Sequence, residues 1–303
     1  MNMLPHARPE NITVINTHQA SSLVGLGKFY SDTQQTREIR TKLTNFAKGH
    51  DPSAKGSFFF LTGVSNVGKT TVLQQVLTHD LPAQEGWSPE NILSVVVPRN
   101  CNTRSLTIAV LNAMSDPYAM KNVSEAKLTM RMIRMLKQSP CRLVAFDDCY
   151  HLLDGKSMAI VEGVAHCFKE IVDDAKVSIV LVGLPAISVL PMAKEEVDGR
   201  KVKNLVLEPF GFKSKDERMD FRFFLKRLDE AIPGEKIGLS DAAVAEKLHH
   251  LSGGRIGFLW RLIWNALERA YSRNNERMTA EDIGHAFEEL RTENEQEVDN
   301  VFL

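Results

Sequence analysis

The sequence predicts an α/β fold: a parallel sheet flanked by helices, followed by a small all-helical domain. Three observations carry that prediction. Apolar runs of strand length alternate with helical stretches between residue 58 and about residue 207, the pattern of parallel strands joined by helical crossovers. A glycine-rich loop, G-V-S-N-V-G-K-T from Gly63 to Thr70, lies between the first of those runs and a helix. Beyond Phe212 only helical periodicity remains.

The bulk numbers set bounds. A chain of 303 residues can hold one large domain or two smaller ones. Hydrophobic residues at 43% and charged residues at 25% are ordinary for a folded soluble chain. A net charge of -1 gives no global basic signal, so contact with nucleic acid would rest on a local patch. The opening MNMLPHARPE lacks the apolar core of a secretory signal, and no apolar run is long enough to cross a membrane. The four cysteines form no C-x-x-C pair and no ligand cluster, which fits reduced thiols in a cytoplasm.

In order along the chain, residues 1–30 read as an extended arm. Asp32 caps a helix to about Ala47, with Ile39, Leu43 and Phe46 on one face. Phe58 to Leu61 is the first buried strand, and Thr71 to Thr78 the helix after the glycine loop. Ile92 to Val97 is a second strand, ended by Pro98. Helices follow from Thr103 to Met114 and from Ser124 to Gln138, and Pro140 stops the second. Cys141 to Phe146 is a third strand, ending in Asp147-Asp148. Lys156 to Ala175 is helix, Val177 to Val182 a fourth strand, and Val206-Leu207 a short fifth after a basic irregular stretch. The helical part spans Ser214–Ala231, Ser240–Leu251, Arg255–Ala270 and Thr279–Leu290, with Gly253-Gly254 as the break in the middle. Phe221, Phe223, Phe224, Trp260 and Trp264 fall at helical spacings and read as its core. The expected boundaries are an arm at 1–30, an α/β domain at 31–212, a helical domain at 213–291 and an acidic tail at 292–303.

Strand, glycine loop and helix in that order form a phosphate site. Glycines let the backbone wrap an anion with its N–H groups inward, and the helix adds its positive dipole end. Gly63, Asn66, Gly68 and Thr71 belong to that cradle. Lys69 supplies a point charge for β- and γ-phosphates, and the Thr70 hydroxyl suits Mg²⁺. In a parallel sheet, acids at a strand's end stand beside the phosphate loop. Asp147 would then hold Mg²⁺ with Thr70, and Asp148 would orient or deprotonate the attacking water. A basic group neutralising the developing charge completes phosphoryl transfer, and Arg200 and Arg255 are the candidates.

Taken together, these stretches resemble the AAA+ ATPases, and more closely the TniB/TnsC family of DNA-transposition regulators. The resemblance covers roughly residues 30 to 275. It rests on GVSNVGKTT, VVVPRNCNTRSLTIAVLNAM, LVAFDDCYHLLDG, IVLVGLPA and SGGRIGFLWRLIWNALERA in that order. It implies a Walker A loop of Gly63, Gly68, Lys69, Thr70 and Thr71, a Walker B pair of Asp147 and Asp148, and a sensor-2 arginine at Arg255 on a helical lid. Arg200 stands where an arginine acting on a neighbouring subunit's nucleotide is expected. The implied cofactors are ATP and Mg²⁺. The implied partners are double-stranded DNA, a transposase with target-selection proteins, and further copies of the chain in a ring or helical filament. The family's loops that track a DNA backbone would correspond to the basic residues Arg99, Arg104, Lys121 and Lys127.

Two departures from the pattern carry expectations. The second Walker B acid is usually Glu and here is Asp148, and a base set back by about 1 Å costs on the order of 10²-fold in rate. The fourth strand ends in Gly183-Leu184, where a polar sensor-1 residue is usual. Other classes stay open: a P-loop ATPase switch acting on protein partners without DNA, a replication initiator or loader of AAA+ type, and an ATP-binding switch without hydrolysis. The shortness of the chain beyond the lid weighs against an initiator's added DNA-reading module. The arm and the acidic tail read as docking peptides for partners.

Overall fold

The computed structural model describes residues 29–303 except 52, 121, 191–195, 198–199, 233–235, 274, 276 and 292–297, with 196, 197, 200 and 201 described by backbone alone. The chain divides into two compact units, residues 34–208 and residues 209–303 with the segment before 34.

In the first unit, helix α1 (Gln34–Lys48) precedes β1 (Phe58–Thr62), and α2 (Lys69–Gln75) follows the glycine loop. Then come β2 (Ile92–Val96), α3 (Thr103–Ala113), α4 (Glu125–Gln138), β3 (Leu143–Asp147), α5 (Met158–Asp173) and β4 (Ser178–Gly183). Two-residue strands β5 (Glu196–Val197) and β6 (Arg200–Lys201) pair antiparallel with each other, and β7 (Lys203–Val206) closes the unit. The main sheet has five strands in the order β2-β3-β4-β1-β7, and every neighbouring pair is parallel. Register sets Phe60 beside Leu181 on one side and beside Asn204 on the other.

Both faces of this sheet are covered, so β1 is buried at every position and needs no polar alternation. Phe58 and Phe60 join the core under α3, α4 and α5, with Leu106, Met132 and Phe168. Phe59 and Leu61 join the opposite core under α1 and α2, with Leu43 and Leu73. Helix α2 does not run on as α-helix to Thr78. It passes at Val76 into a π-helical turn to Asp80, a local widening that often accompanies functional helices. Arg40 of α1 holds that turn with two bonds to the Asp80 carboxylate, Nε at 2.7 Å and Nη2 at 2.5 Å. The stretch read as irregular between Lys194 and Lys203 contains the β5–β6 ribbon, and the edge strand begins at Lys203, earlier than the apolar pair Val206-Leu207 suggests.

The second unit packs α6 (Lys215–Ala231), α7 (Ala242–Ser252), α8 (Ile256–Ser272) and α9 (Ala280–Leu290) round one apolar core that includes Phe221, Leu225, Leu259 and Phe287. Helices α6 and α9 start in reciprocal capping boxes, Ser214 with Glu217 and Thr279 with Asp282. The break after α7 is built from left-handed glycines, Gly253 at φ 57° and Gly254 at φ 72°. A Cβ on Gly254 would lie 2.1 Å from the Phe210 carbonyl oxygen, so no other residue fits there. Trp260 and Trp264 pack against this core as expected. Phe223 does not. It is 60% exposed, because α6 turns Phe221, Phe224, Leu225 and Leu228 inward and carries residue 223 on the other side.

The last described residues also differ from the docking peptide expected of the tail. Asn300 Nδ2 donates to the Gly284 carbonyl at 2.9 Å and Arg291 Nη2 to the Val298 carbonyl at 2.7 Å. Val298, Val301 and Phe302 pack on the helical core. Residues 1–28 and 292–297, which hold most of the expected arm and half of the tail, lie outside the described residues. Among the described residues no helix is long and apolar enough to cross a membrane.

Candidate functional site

The glycine loop leaves the C-terminal end of β1, and its shape follows from three backbone positions. Gly63 runs so close to the chain beyond β7 that a Cβ would lie 2.3 Å from the Leu207 carbonyl oxygen. That contact is fixed by the bond from Leu207 N–H to the Thr62 carbonyl at 2.8 Å. Asn66 takes φ 62° and Gly68 φ 101°, and alternation of left- and right-handed residues turns successive N–H groups into one concavity. Gly68 is the N-cap of α2, so the helix's free N–H groups open into the same concavity. Lys69 reaches back over the loop, and its ammonium donates to the carbonyls of Gly63 at 2.9 Å and Val64 at 2.8 Å. Burial holds the Lys69 ammonium below its ordinary pKa, opposed by the fields of Asp147 and Asp148. Thr71 is exposed on the first turn of α2.

Asp147 ends β3 and is buried, with 6% of its surface exposed. Burial pushes its carboxyl above the ordinary value of 3.8, opposed first by a hydrogen bond from Thr70 and then by the Asp148 N–H, which donates to Oδ1 at 2.9 Å. The two residues expected to share a metal therefore stand beside one another. Among the described residues there is no cluster of three or more His, Cys, Asp or Glu that would hold a metal alone. One hydroxyl and one carboxylate of oxygen donors fit Mg²⁺, which keeps waters and substrate phosphates as its other ligands.

The sign of the Asp147 shift gives a prediction. A carboxyl raised above its unfolded value costs nothing below that value, and its ionisation removes stability as pH rises through the folded pKa. At pH 7 Asp147 therefore costs the nucleotide-free protein stability. Asp147→Asn keeps an acceptor for the Asp148 N–H and removes the charge. Its Tm is expected to exceed the parent's at pH 7 and to converge with it towards pH 4, while Mg²⁺-dependent nucleotide binding falls. A Tm at or below the parent's at pH 7 would contradict the burial argument.

Asp148 adopts the left-handed conformation, φ 57° and ψ 35°, at the head of the 3-10 turn Cys149–Leu152. It is exposed. Left-handed residues other than glycine are most often Asn or Asp, so the backbone here suits the shorter acid. Gly183, at the end of β4, has its Cα hydrogen side against Cys149 Cβ and Ile187 Cγ2, each 3.2 Å from where a Cβ would be. A side chain at this position would need Cys149 or Ile187 to give way by a few tenths of an ångström. His151 is buried on the ring of Tyr150, with 3.8 Å between ring centroids.

The remaining sequence candidates are spread over the chain. Arg99 is exposed in the turn after β2, and Lys127 is exposed on α4. Arg104 Nη1 donates to the Val123 carbonyl at 2.6 Å, tying α3 to the segment before α4. Lys121 and the side chain of Arg200 lie outside the described residues. Arg255, in the second unit, donates from Nε to the Ser252 carbonyl at 2.8 Å and stacks its guanidinium over Phe258 at 4.8 Å. Sequence reasoning missed Arg40 and Asp80, which brace the helix that carries Lys69 and Thr70. They stand 40 positions apart and share no motif, so only the fold pairs them.

No curated protein matches the chain. The model of the bacterial TniB protein family matches residues 28–203, a span that holds the glycine loop and both acids. The ORC1 protein of Aeropyrum pernix in complex with DNA is similar at a TM-score of 0.64 and 18% identity, covering 89% of this chain and 69% of that one. Cdc6p from Pyrobaculum aerophilum is similar at 0.64 and 13%, covering 88% and 70%. The ORC2 protein of Aeropyrum pernix in ADPNP-ADP complexes is similar at 0.60 and 14%, also covering 88% and 70%.

Proposed function

We propose, because the chain belongs to the bacterial TniB protein family and has the fold of an AAA+ ATPase, that it is an ATP-dependent, DNA-binding regulator of transposition. The observation that carries the nucleotide part is the approach of Lys69 and Thr70, at the start of α2, to Asp147 and Asp148, at and just beyond the end of β3. The transposition part rests on the family. In this reading the protein acts in the cytoplasm, assembles with ATP as a ring or helical filament on duplex DNA, marks the target and recruits the transposase.

The loop N–H groups and Lys69 bind and orient the phosphates, Lys69 leaving the two loop carbonyls for phosphate oxygens. Thr70 and Asp147 would hold Mg²⁺, which when bound offsets charge on the β- and γ-phosphates. Asp148 accepts the proton of the attacking water. Arg255 would reach the nucleotide from the lid, and Arg200 would serve the site of a neighbouring subunit. Arg99, Arg104, Lys121 and Lys127 would meet the DNA backbone, a sequence-independent and salt-sensitive contact. A second reading, a replication initiator or loader, is favoured by the likeness of fold to ORC1 and Cdc6p.

Duplex-DNA anisotropy with ATP, ADP or no nucleotide, at two salt concentrations, tests the proposal. Binding should be tight only with ATP, weaken with salt and vanish in Lys69→Ala. Absence of binding in every state would leave an ATP switch acting on proteins. Retention of ATP-dependent binding in the presence of origin-like DNA alone would favour the initiator.

A further inference from the structure

We propose that the groove between α6 and the start of α7 docks an acidic peptide segment of a partner protein, anchored by an apolar side chain. The proposal concerns the helical unit alone. It does not depend on the nucleotide or DNA reading, and the surface lies beyond the residues matched by the family model.

The groove has a volume of about 830 Å³. One wall is α6, which presents Lys215, Arg218, Arg222 and Lys226 to it, and Glu246 is the single acid among its lining residues. Spacings of three, four and four residues place these cations on one helical stripe, about 16 Å from first to last at 1.5 Å per residue. Two of the guanidiniums are already oriented. Arg218 Nη1 donates to the Lys213 carbonyl at 3.0 Å, and Arg222 Nε to the Ser240 carbonyl at 2.7 Å. Each keeps further N–H donors, and a guanidinium fork matches a carboxylate.

Met219 and Phe223 line the same groove, each 60% exposed. They sit four residues apart and form an apolar ridge beside the cations. Nothing in the nucleotide site uses them. Arginine, methionine and aromatic side chains together are the composition of interface centres. A phosphate backbone would satisfy the cations and leave Phe223 and Met219 in water. A peptide with carboxylates flanking a phenylalanine or leucine would satisfy both sets, the apolar anchor on the ridge and the acids on the stripe.

The test uses the full chain and a fluorescein-labelled acidic peptide with one central phenylalanine, beside the same peptide with alanine there and a labelled DNA duplex. Lys215→Glu/Lys226→Glu and Phe223→Ala are the informative variants, because those side chains hold no part of the fold. The parent should bind the phenylalanine peptide saturably. Affinity should fall about 10-fold or more in each variant and for the alanine peptide, with Tm unchanged. No saturable binding by the parent, or equal binding by parent and variants, would overturn the proposal. Loss of duplex binding in the variants with peptide binding unchanged would also overturn it and assign the stripe to nucleic acid. Because nucleotide binding is read separately on Lys69→Ala, failure here is distinct from failure of the ATPase reading.

Discussion

Replacing Asp148 with asparagine is expected to lower kcat for ATP hydrolysis by about 10²- to 10⁴-fold, the usual contribution of a positioned general base, with nucleotide affinity nearly unchanged. Asparagine is the informative substitution because the backbone there is left-handed, a conformation that asparagine accepts as readily as aspartate. The variant should fold, bind Mg-nucleotide through Lys69, Thr70 and Asp147, and stop at the chemical step. Single-turnover hydrolysis and equilibrium nucleotide binding on the same preparation separate the two effects. If kcat is preserved, the proton goes elsewhere and Asp148 is only a turn residue. Asp148→Glu makes the opposite trade. A longer acid moves the base forward by about 1 Å and should raise kcat, while the left-handed backbone costs glutamate roughly 1 kcal/mol more than aspartate. A rise in rate with a fall in Tm is expected. No rise would count against the shorter acid as the brake.

Phe60→Ala should destabilise the α/β unit by about 3–5 kcal/mol, the cost of emptying a buried aromatic site. Phe60 is fully buried between its sheet neighbours and the helices of one face. The change removes a large share of a stability that is about 5–15 kcal/mol for a typical domain. The effect should reach the nucleotide site, because β1 delivers the loop. A urea titration followed by far-UV signal would show the midpoint moving down, and ATP should lose its stabilising effect before the fold is gone. Phe223→Ala is the built-in contrast: the same chemical deletion on an exposed face, expected to stay within about 0.5 kcal/mol. Similar losses at both positions would mean that burial does not decide the cost.

The phosphate loop was legible because its geometry is local. Gly63, Gly68 and Lys69 state in one octapeptide what the backbone must do. The parallel sheet was legible for a related reason, since strands buried on both faces read as continuous apolar runs. The start of the edge strand was not: Lys203 and Asn204 are polar and exposed there, and only pairing with β1 makes them a strand. Asp148 could be named but not its conformation, since an aspartate after a strand equally well caps a helix. Phe223 was misplaced because phenylalanines at 221, 223 and 224 cannot all face one side of a helix, and the sequence does not say which is left out. The Arg40–Asp80 brace and the seat of Asn300 on α9 join residues far apart in the chain, so no local pattern announces them.

The strand order has a consequence for how the protein is made. The strand that carries the phosphate loop is the first to leave the ribosome, yet its partners are the last two of the sheet: Phe58 pairs with Ile179 and Phe59 with Lys203. Until those residues emerge, three consecutive phenylalanines have no ladder to join, and a nascent chain in that condition is a ready client for holding chaperones. The octapeptide is complete early and its binding site late. Ribosome-bound chains that end before Ser178 should therefore fail to retain nucleotide, although the whole glycine loop is already outside the tunnel.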